Sequence, residues 1–192
     1  SIETALKAKG YSLILCCSNN DREEEVRCIN DLLARNVAGV IVLDPNTSNI
    51  NSDFYKSIAK TVPIVFINGH ASVENISSVS NDESIGAEIA LKYLINNNHK
   101  NILFIRGENS ASYDIKEKKY ISMLTNSNHY HPSNVINIGK GNGSETVDNT
   151  IVSVTNFLTK NKKITAIFAC NDLMAVGAIN ACKRLCLNVP ED

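Results

Sequence analysis

Short apolar runs rich in β-branched residues recur along the sequence, and they restrict its fold more than any other feature. The runs occupy residues 11–16, 39–43, 63–67, 101–106, 135–138 and 164–169. Their apolar residues follow one another almost without interruption, as in parallel strands that helices cover on both faces. Each run is therefore predicted to form a strand of a parallel sheet.

Segments with helical periodicity separate these runs. Asp21, Asp82, Ser144 and Asn171 stand where side chains commonly cap a first helical turn, and Asp21 opens a capping box. A weaker helix is predicted over residues 112–124. The apolar residues predicted to face the core, taken helix by helix, are Val26, Ile29, Leu32 and Leu33; Ile85, Ile89, Tyr93 and Leu94; Ile115, Tyr120 and Leu124; Val147, Ile151, Val154 and Leu158; and Ala175, Ile179, Cys182 and Cys186.

The alternation of strands and helices indicates βαβ units and a doubly wound α/β fold. A short extended stretch at 76–79 does not complete such a unit, which places a lobe boundary near Ser80 and predicts lobes over residues 1–80 and 81–192. Residues 1–10 resemble the end of a helix whose preceding strand is missing, and residues 187–192 lead toward a further strand. We therefore expect the chain to be truncated at both ends.

Composition narrows the functional class. With 43% hydrophobic residues, 20% charged residues and a net charge of −1, the chain matches an ordinary globular domain and has no basic stripe for nucleic acid. No apolar run approaches the roughly 20 residues of a membrane span, and the first residues do not resemble a secretory signal. The six cysteines lack disulfide or zinc spacing, so we expect buried, reduced thiols and a cytoplasmic protein.

Polar residues at the ends of the predicted strands form the candidate ligand site. Open α/β sheets bind ligands at the carboxyl ends of their strands. The segments that follow strands are Ser18-Asn19-Asn20, Asp44-Pro45-Asn46, Asn68-Gly69-His70, Arg106-Gly107-Glu108 and Asn171-Asp172. Such residues also cap helices, and that alternative remains open at each position. Their recurrence in one chain favours a polar pocket.

Signals for an enzyme are absent from the sequence. The glycine-rich stretch at 139–144 lacks the spacing of a phosphate-binding loop and is predicted to be a flexible turn, and no G-x-S-x-G elbow occurs. His129 and His131 lie in a polar loop and indicate a surface turn rather than a metal site. His70 follows a strand and either contacts a ligand or is exposed, whereas His99 is expected to close a helix. We predict no catalytic activity, metal or cofactor.

The most specific pattern in the chain is FACNDLMAVGA at residues 168–178, followed by LNVPED at residues 187–192. Supporting patterns are VAGVI at 37–41, PIVFI at 63–67, Gly86-Ala87 and Asn98-His99. On these residues the whole chain resembles the lac/galactose-repressor family of bacterial transcription regulators, whose sensing domain is similar to periplasmic sugar-binding proteins. The resemblance implies a two-lobed periplasmic-binding-protein-like fold with an effector cleft between the lobes.

The resemblance also implies a set of effector-binding residues. The family's ligand-contacting acid corresponds to Asn68, its ligand-facing asparagine to Asn171, and a polar ligand-side position to Ser112. The family's ligand-gripping arginine corresponds to Lys116, a point charge that cannot make the planar bidentate contact of arginine. Asp44, which follows a predicted strand, completes the predicted effector site for a sugar-like small molecule.

For the whole protein, the resemblance implies a homodimer whose interface includes the helix at 21–36. It also implies operator binding through an amino-terminal helix-turn-helix headpiece that these residues do not contain. A solute-binding protein of a sugar transporter is the alternative function. The scattered cysteines and the repressor-like block at 168–178 favour the regulator.

Overall fold

The computed structural model describes residues 1–19, 21–69 and 72–192. It divides the chain into two compact units, Ser1–Asn81 and Asp82–Asp192. Asn20 and His70, two of the polar residues predicted to follow strands, lie outside the described residues. In the ranges described, no helix has both the length and the apolar character needed to cross a bilayer.

The first unit is built on a three-stranded parallel sheet. Its elements are α1 (Ile2–Ala8), α2 (Arg22–Ala34), β1 (Val40–Leu43), α3 (Thr47–Ile50), α4 (Phe54–Ile58), β2 (Ile64–Ile67) and β3 (Ile76–Val79). The strand order is β1-β2-β3, and the residue following β1 lies beside the residue following β2, because Leu43 pairs with Ile67. This register brings the polar residues after both strands to one edge.

Helix α2 confirms its predicted start, and of its predicted core residues Ile29 is buried while Leu32 and Leu33 pack partly buried against the core. The Asp21 side chain accepts a 2.8 Å hydrogen bond from the backbone N–H of Glu24, which satisfies one of the free donors of the first turn. Asn36, with φ of +53°, follows the last turn. The buried core of this unit consists of Ile29, Val40, Val42, Ile50, Tyr55, Ile58, Ile64, Phe66 and Val73.

Two expectations for the first unit are wrong. Residues 11–16 do not form a strand, and Leu15 is 77% exposed. No described strand pairs with this segment, and an apolar run without a ladder partner cannot hold a sheet geometry. In β1, moreover, Val40 and Val42 are buried whereas Ile41 and Leu43 are exposed. Successive side chains of a strand point to opposite faces, so packing covers only one face of β1.

The second unit has more helix and a central strand whose first four residues are buried. Its elements are α5 (Glu83–Asn96), β4 (Ile102–Arg106), α6 (Ala111–Asn126), a 3₁₀ turn (Pro132–Asn134), β5 (Val135–Asn137), α7 (Thr146–Lys160), β6 (Ala166–Ala169) and α8 (Asp172–Arg184). All strands are parallel in the order β5-β4-β6. The buried core includes Leu91, Ile102, Leu103, Phe104, Ile105, Tyr120, Leu124, Val154, Phe168 and Met174.

The strand order creates a switch point beside β4. The chain passes from β4 through α6 to β5 on one side, then returns through α7 to β6 on the other side. Because parallel crossovers are right-handed, α6 and α7 cover opposite faces of the sheet. Accordingly, α5 packs against α6, and α8 packs against α7. A crevice for a ligand is expected where the carboxyl ends of β4 and β6 meet.

Three helices of this unit differ in detail from the predictions. Helix α5 buries Ala87 and Leu91, whereas the predicted core residues Ile85, Ile89 and Tyr93 are 57%, 65% and 69% exposed. Both sets repeat at helical spacing, so periodicity alone does not select the buried face. In α7 the residue at the cap position is Glu145 rather than the predicted Ser144. In α8 the predicted core residue Ile179 is exposed, and so is Cys186, which follows the helix.

The cysteines divide into buried and exposed groups. Cys170 and Cys182 are buried, as predicted, and Cys28 is half-buried. The expectation of buried thiols is wrong for the remaining three, which are exposed. Cys16 and Cys17 lie in the segment after α1, which forms no strand, and Cys186 follows α8.

Candidate functional site

The Lys116 side chain lies at the switch point of the second unit. Its Nζ donates to the carbonyl oxygen of Cys170, just after β6, at 3.1 Å and to Ser112 Oγ at 3.0 Å. The third partner is the Glu83 carboxylate, whose Oε2 lies 2.9 Å from the ammonium. Lys116 therefore connects α6, α5 and the segment after β6.

Local helix geometry explains why Ser112 and Lys116 meet. They are four residues apart on α6, so both side chains lie on one face of its first turns. Helix α5 precedes β4 in the chain and ends near the start of the strand, whereas α6 follows β4. The first residues of both helices therefore lie at the carboxyl end of β4. Glu83, the first residue of α5, is thereby placed beside Lys116.

Asn171 performs two structural tasks at the same edge. Its Oδ1 accepts a 2.9 Å hydrogen bond from the backbone N–H of Met174, which caps α8. Its Nδ2 donates to the carbonyl oxygen of Gly141 at 2.8 Å, to Asn142 Oδ1 at 3.0 Å and to Tyr113 Oη at 3.2 Å. The Asn171 amide therefore ties the start of α8 to the turn that follows β5.

That turn is packed closely against the segment after β4. A Cβ at Gly107 would lie 2.8 Å from the Gly141 Cα, and a Cβ at Gly141 would lie 2.6 Å from Tyr113 Oη. The backbone N–H of Glu108 also donates to the carbonyl oxygen of Gly139 at 2.9 Å. Glycine is favoured at position 107 because the Gly141 backbone lies too close for a side chain, and at position 141 because the Tyr113 hydroxyl does. The glycine-rich turn is thus packed against this edge.

We call the polar residues around these contacts the switch-point cluster, defined as Glu83, Ser112, Tyr113, Lys116, Asn142 and Asn171. Sequence reasoning found Ser112, Lys116 and Asn171 but missed the other three. Tyr113 adjoins a predicted site residue, and Asn142 lies between two glycines in the stretch that follows β5, so both could have been found from the sequence. Nothing local distinguishes Glu83 from other acidic residues in the first turn of a helix.

Arg106, at the end of β4, is occupied by acidic residues of α6. Its guanidinium donates to Asp114 Oδ1 at 2.6 Å and forms a second ion pair with Glu117. The Arg106 side chain is largely buried, and both partners come from the helix that follows its strand. The charged group at the end of β4 is therefore engaged in local ion pairs.

Cys170 presents its carbonyl oxygen to Lys116 while its thiol is buried. Burial raises the pKa of the Cys170 thiol to about 12. Because the thiolate is the reactive form, this thiol stays protonated and unreactive at neutral pH. The residue contributes to the site through its backbone.

The first unit brings Asp44 and Asn68 together at its own carboxyl edge. Each residue directly follows its strand, with φ of +49° and +58° respectively, a conformation that Asn and Asp tolerate well. The backbone N–H of Asp44 donates to the carbonyl oxygen of Ile67 at 2.9 Å. Asp44 is exposed and Asn68 is half-buried, so the side chains of these neighbours are accessible.

A buried carboxylate supports the loop after β1. Glu25, 4% exposed, accepts hydrogen bonds from Tyr55 Oη at 2.7 Å, Asn49 Nδ2 at 2.7 Å and the backbone N–H of Asn46 at 2.9 Å. Burial, together with the hydrogen bond to Glu25, raises the pKa of the Tyr55 phenol. Glu25 thus fixes the loop that carries Asp44. Sequence reasoning did not single it out, because a glutamate in a first helical turn normally faces water.

The first edge therefore presents a carboxylate and an amide at the carboxyl ends of parallel strands, and the second presents hydroxyl, amide, carboxylate and ammonium groups there. Such an arrangement suits the hydrogen-bonding recognition of a small polar molecule. The periplasmic binding protein domain family matches residues 1–187, and the chain belongs to that family.

Two curated relatives are transcription regulators, in agreement with the resemblance seen in the sequence. The chain is 32% identical to catabolite control protein A of Priestia megaterium over 186 residues, which cover 95% of the chain and 54% of that protein. It is 31% identical to the HTH-type transcriptional repressor PurR of Haemophilus influenzae over 198 residues, which cover 100% of the chain and 56% of that protein. The chain thus spans about half the length of these relatives.

A solved structure shows the same fold. The LacI family transcriptional regulator from Lactobacillus casei with bound sucrose matches with a TM-score of 0.82 at 20% identity, over 99% of this chain and 69% of that one. The predicted periplasmic-binding-protein-like fold is therefore confirmed.

Proposed function

We propose that this chain is the effector-sensing part of a bacterial transcription repressor and binds a small, sugar-like molecule. The proposed effector-binding residues are Asp44 and Asn68 in the first unit and Ser112, Lys116 and Asn171 in the second. The main support is the switch-point cluster. It occupies the place where open α/β sheets bind ligands, in a chain whose curated relatives are repressors.

The proposed mechanism is a shift of population. A ligand that engages the polar residues of both units stabilises whichever arrangement of the units allows both sets of contacts. In the whole protein this change would alter operator affinity, which requires a free-energy coupling between the effector site and a separate DNA site. The DNA site would be a helix-turn-helix headpiece outside these 192 residues, and the protein would act in the cytoplasm as a homodimer without catalytic activity.

Ligand binding can be tested with neutral sugars and nucleosides, first by thermal shift and then by calorimetry. Lys116→Ala and Ser112→Ala should each weaken the binding of a molecule found in this way by roughly ten- to a hundredfold, because a buried polar partner is then left unsatisfied. Lys118→Ala is the matched control, since Lys118 is exposed on the same helix. If all three variants bind the ligand as tightly as the wild-type protein does, the site lies elsewhere.

The regulator and transporter functions make opposite predictions for DNA. The curated relatives favour the regulator, which in its natural length should bind operator DNA with an affinity that depends on the sugar. The 192 residues alone, with a net charge of −1, should not bind duplex DNA at physiological salt. Sugar binding without any DNA binding by the natural-length protein would instead support a solute-binding protein.

A further inference from the structure

The positive charges at the switch point already have acidic partners. Lys116 is paired with Glu83, and their side chains are only 17% and 22% exposed, so solvent screens this pair weakly. Arg106 is paired with Asp114 and Glu117. An incoming anion therefore meets neutralised cations rather than free ones.

The helix N-termini at this edge are also complemented by acids. The positive end of a helix dipole is a common binding site for phosphate and carboxylate groups. Helices α5, α6 and α8 each carry an acidic residue in the first turn, respectively Glu83, Asp114 and Asp172. These carboxylates oppose a further negative charge at the place where the dipoles would otherwise attract it.

We infer that Glu83 is a specificity-determining residue of this edge: by neutralising Lys116 it makes the site accept uncharged polar molecules and reject their anionic derivatives. The inference rests on the proposed effector site and adds the charge class of its ligand. Glu83 lies 2.9 Å from the Lys116 ammonium, so any anion that approached Lys116 would have to displace this carboxylate or lie beside it. Uncharged hydroxyl groups face no such repulsion and can exchange hydrogen bonds with Ser112, Asn142 and Asn171.

The test compares D-glucose, D-ribose and adenosine with their monophosphate esters, using calorimetry on the full chain in its natural length. The wild-type protein should bind the uncharged member of a pair more tightly. Glu83→Gln keeps the shape of the side chain but removes the negative charge that lies 2.9 Å from the Lys116 ammonium. That change should raise affinity for the phosphate ester by about ten- to a hundredfold and leave the uncharged member within about threefold.

Glu88→Gln provides a matched control. Glu88 lies on the same helix and forms the same kind of interhelical ion pair, 2.8 Å from Lys119 Nζ, but farther along both helices from their N-termini. Its loss should not change the preference between a sugar and its phosphate ester. If Glu83→Gln does not fold, the comparison of each pair on the wild-type protein can still overturn the inference, because tighter binding of the phosphate esters contradicts it.

The outcomes separate the inference from the proposed function. Tighter binding of the phosphate esters by the wild-type protein, or an unchanged preference in a folded Glu83→Gln protein, overturns the role of Glu83 while leaving an effector site in place. Binding of neither member of any pair contradicts the proposed effector site, and the inference falls with it.

Discussion

Replacing Asn171 tests whether this residue only caps a helix or also holds the edge of the second unit together. Asn171→Ala removes the cap of α8, which costs about 1 kcal/mol. It also leaves the carbonyl oxygen of the buried Gly141 without its 2.8 Å donor, which costs about 1 kcal/mol or more. The expected loss in the free energy of unfolding is therefore about 2 to 3 kcal/mol.

Asn171→Asp separates the two tasks. The introduced carboxyl group still accepts from Met174 N–H and suits the positive end of α8. Its second oxygen, however, takes the place of Nδ2 and faces the oxygens of Gly141 and Asn142, which lie 2.8 and 3.0 Å from the present amide nitrogen. We expect a loss of about 1 to 3 kcal/mol despite the intact cap.

The pH dependence of Asn171→Asp gives an internal check. The neighbouring oxygens should raise the pKa of the introduced carboxyl group above its unfolded value, because only the protonated form can donate to them. The penalty is then fully present above the folded pKa and shrinks as pH falls through it. The stability difference from wild type should therefore be smaller at about pH 4 than at about pH 8.

Urea unfolding followed by far-UV circular dichroism measures these losses, and hydrogen exchange at the Met174 amide reports the cap itself. Asn97→Ala is the control, because the Asn97 side chain is exposed and donates a 2.7 Å hydrogen bond to the carbonyl oxygen of Tyr93 in its own helix. That change should stay within about 0.5 kcal/mol. Wild-type stability in Asn171→Asp would refute the argument that the amide nitrogen holds the turn after β5.

Three further predictions concern stability and thiol chemistry. Glu25→Gln should destabilise the protein by about 1 to 3 kcal/mol in urea unfolding, because one of three donors loses its acceptor. Gly141→Ala should lower the melting temperature, since its Cβ would lie 2.6 Å from Tyr113 Oη, which is held by hydrogen bonds to Asn142 and Asn171. Gly86→Ala, in an open helical position, should instead add up to about 1 kcal/mol. Native labelling with a thiol reagent near pH 8 should spare Cys170, whose pKa burial raises to about 12. The fast-reacting thiols should be the exposed ones, Cys16, Cys17 and Cys186.

A specific result would contradict each of these three predictions. Glu23→Gln is the control for Glu25→Gln because Glu23 is exposed in the same helical turn, and equal stabilities in both variants would refute a structural role for the buried carboxylate. A Gly141→Ala protein as stable as Gly86→Ala would show that the turn after β5 moves away from its neighbours at little cost. Rapid native labelling of Cys170 would show that its environment opens readily.

Local sequence signals determined much of the secondary structure. Asp21, Asp82 and Asn171 were predicted as caps and act as caps, because the side chain and the backbone donors it satisfies lie within a few residues of each other. Strands β2 and β4 were likewise predicted correctly from their apolar runs, without knowledge of which strands they pair with. The run at 11–16 has the same composition but no described partner strand, and pairing is a property of the assembled sheet.

The parallel α/β class, the polar character of the strand ends and the family resemblance could thus be deduced from the sequence by itself. Tertiary structure alone decided which apolar face of α5 is buried, since two faces carry apolar residues at the same spacing. It also paired Lys116 with Glu83 and placed the Asn171 amide on Gly141, contacts between residues far apart in the chain. Sequence spacing encodes which residues share a helix face or follow a strand. The charge and hydrogen-bonding state of a site depends on which elements pack together, and only the folded chain determines that.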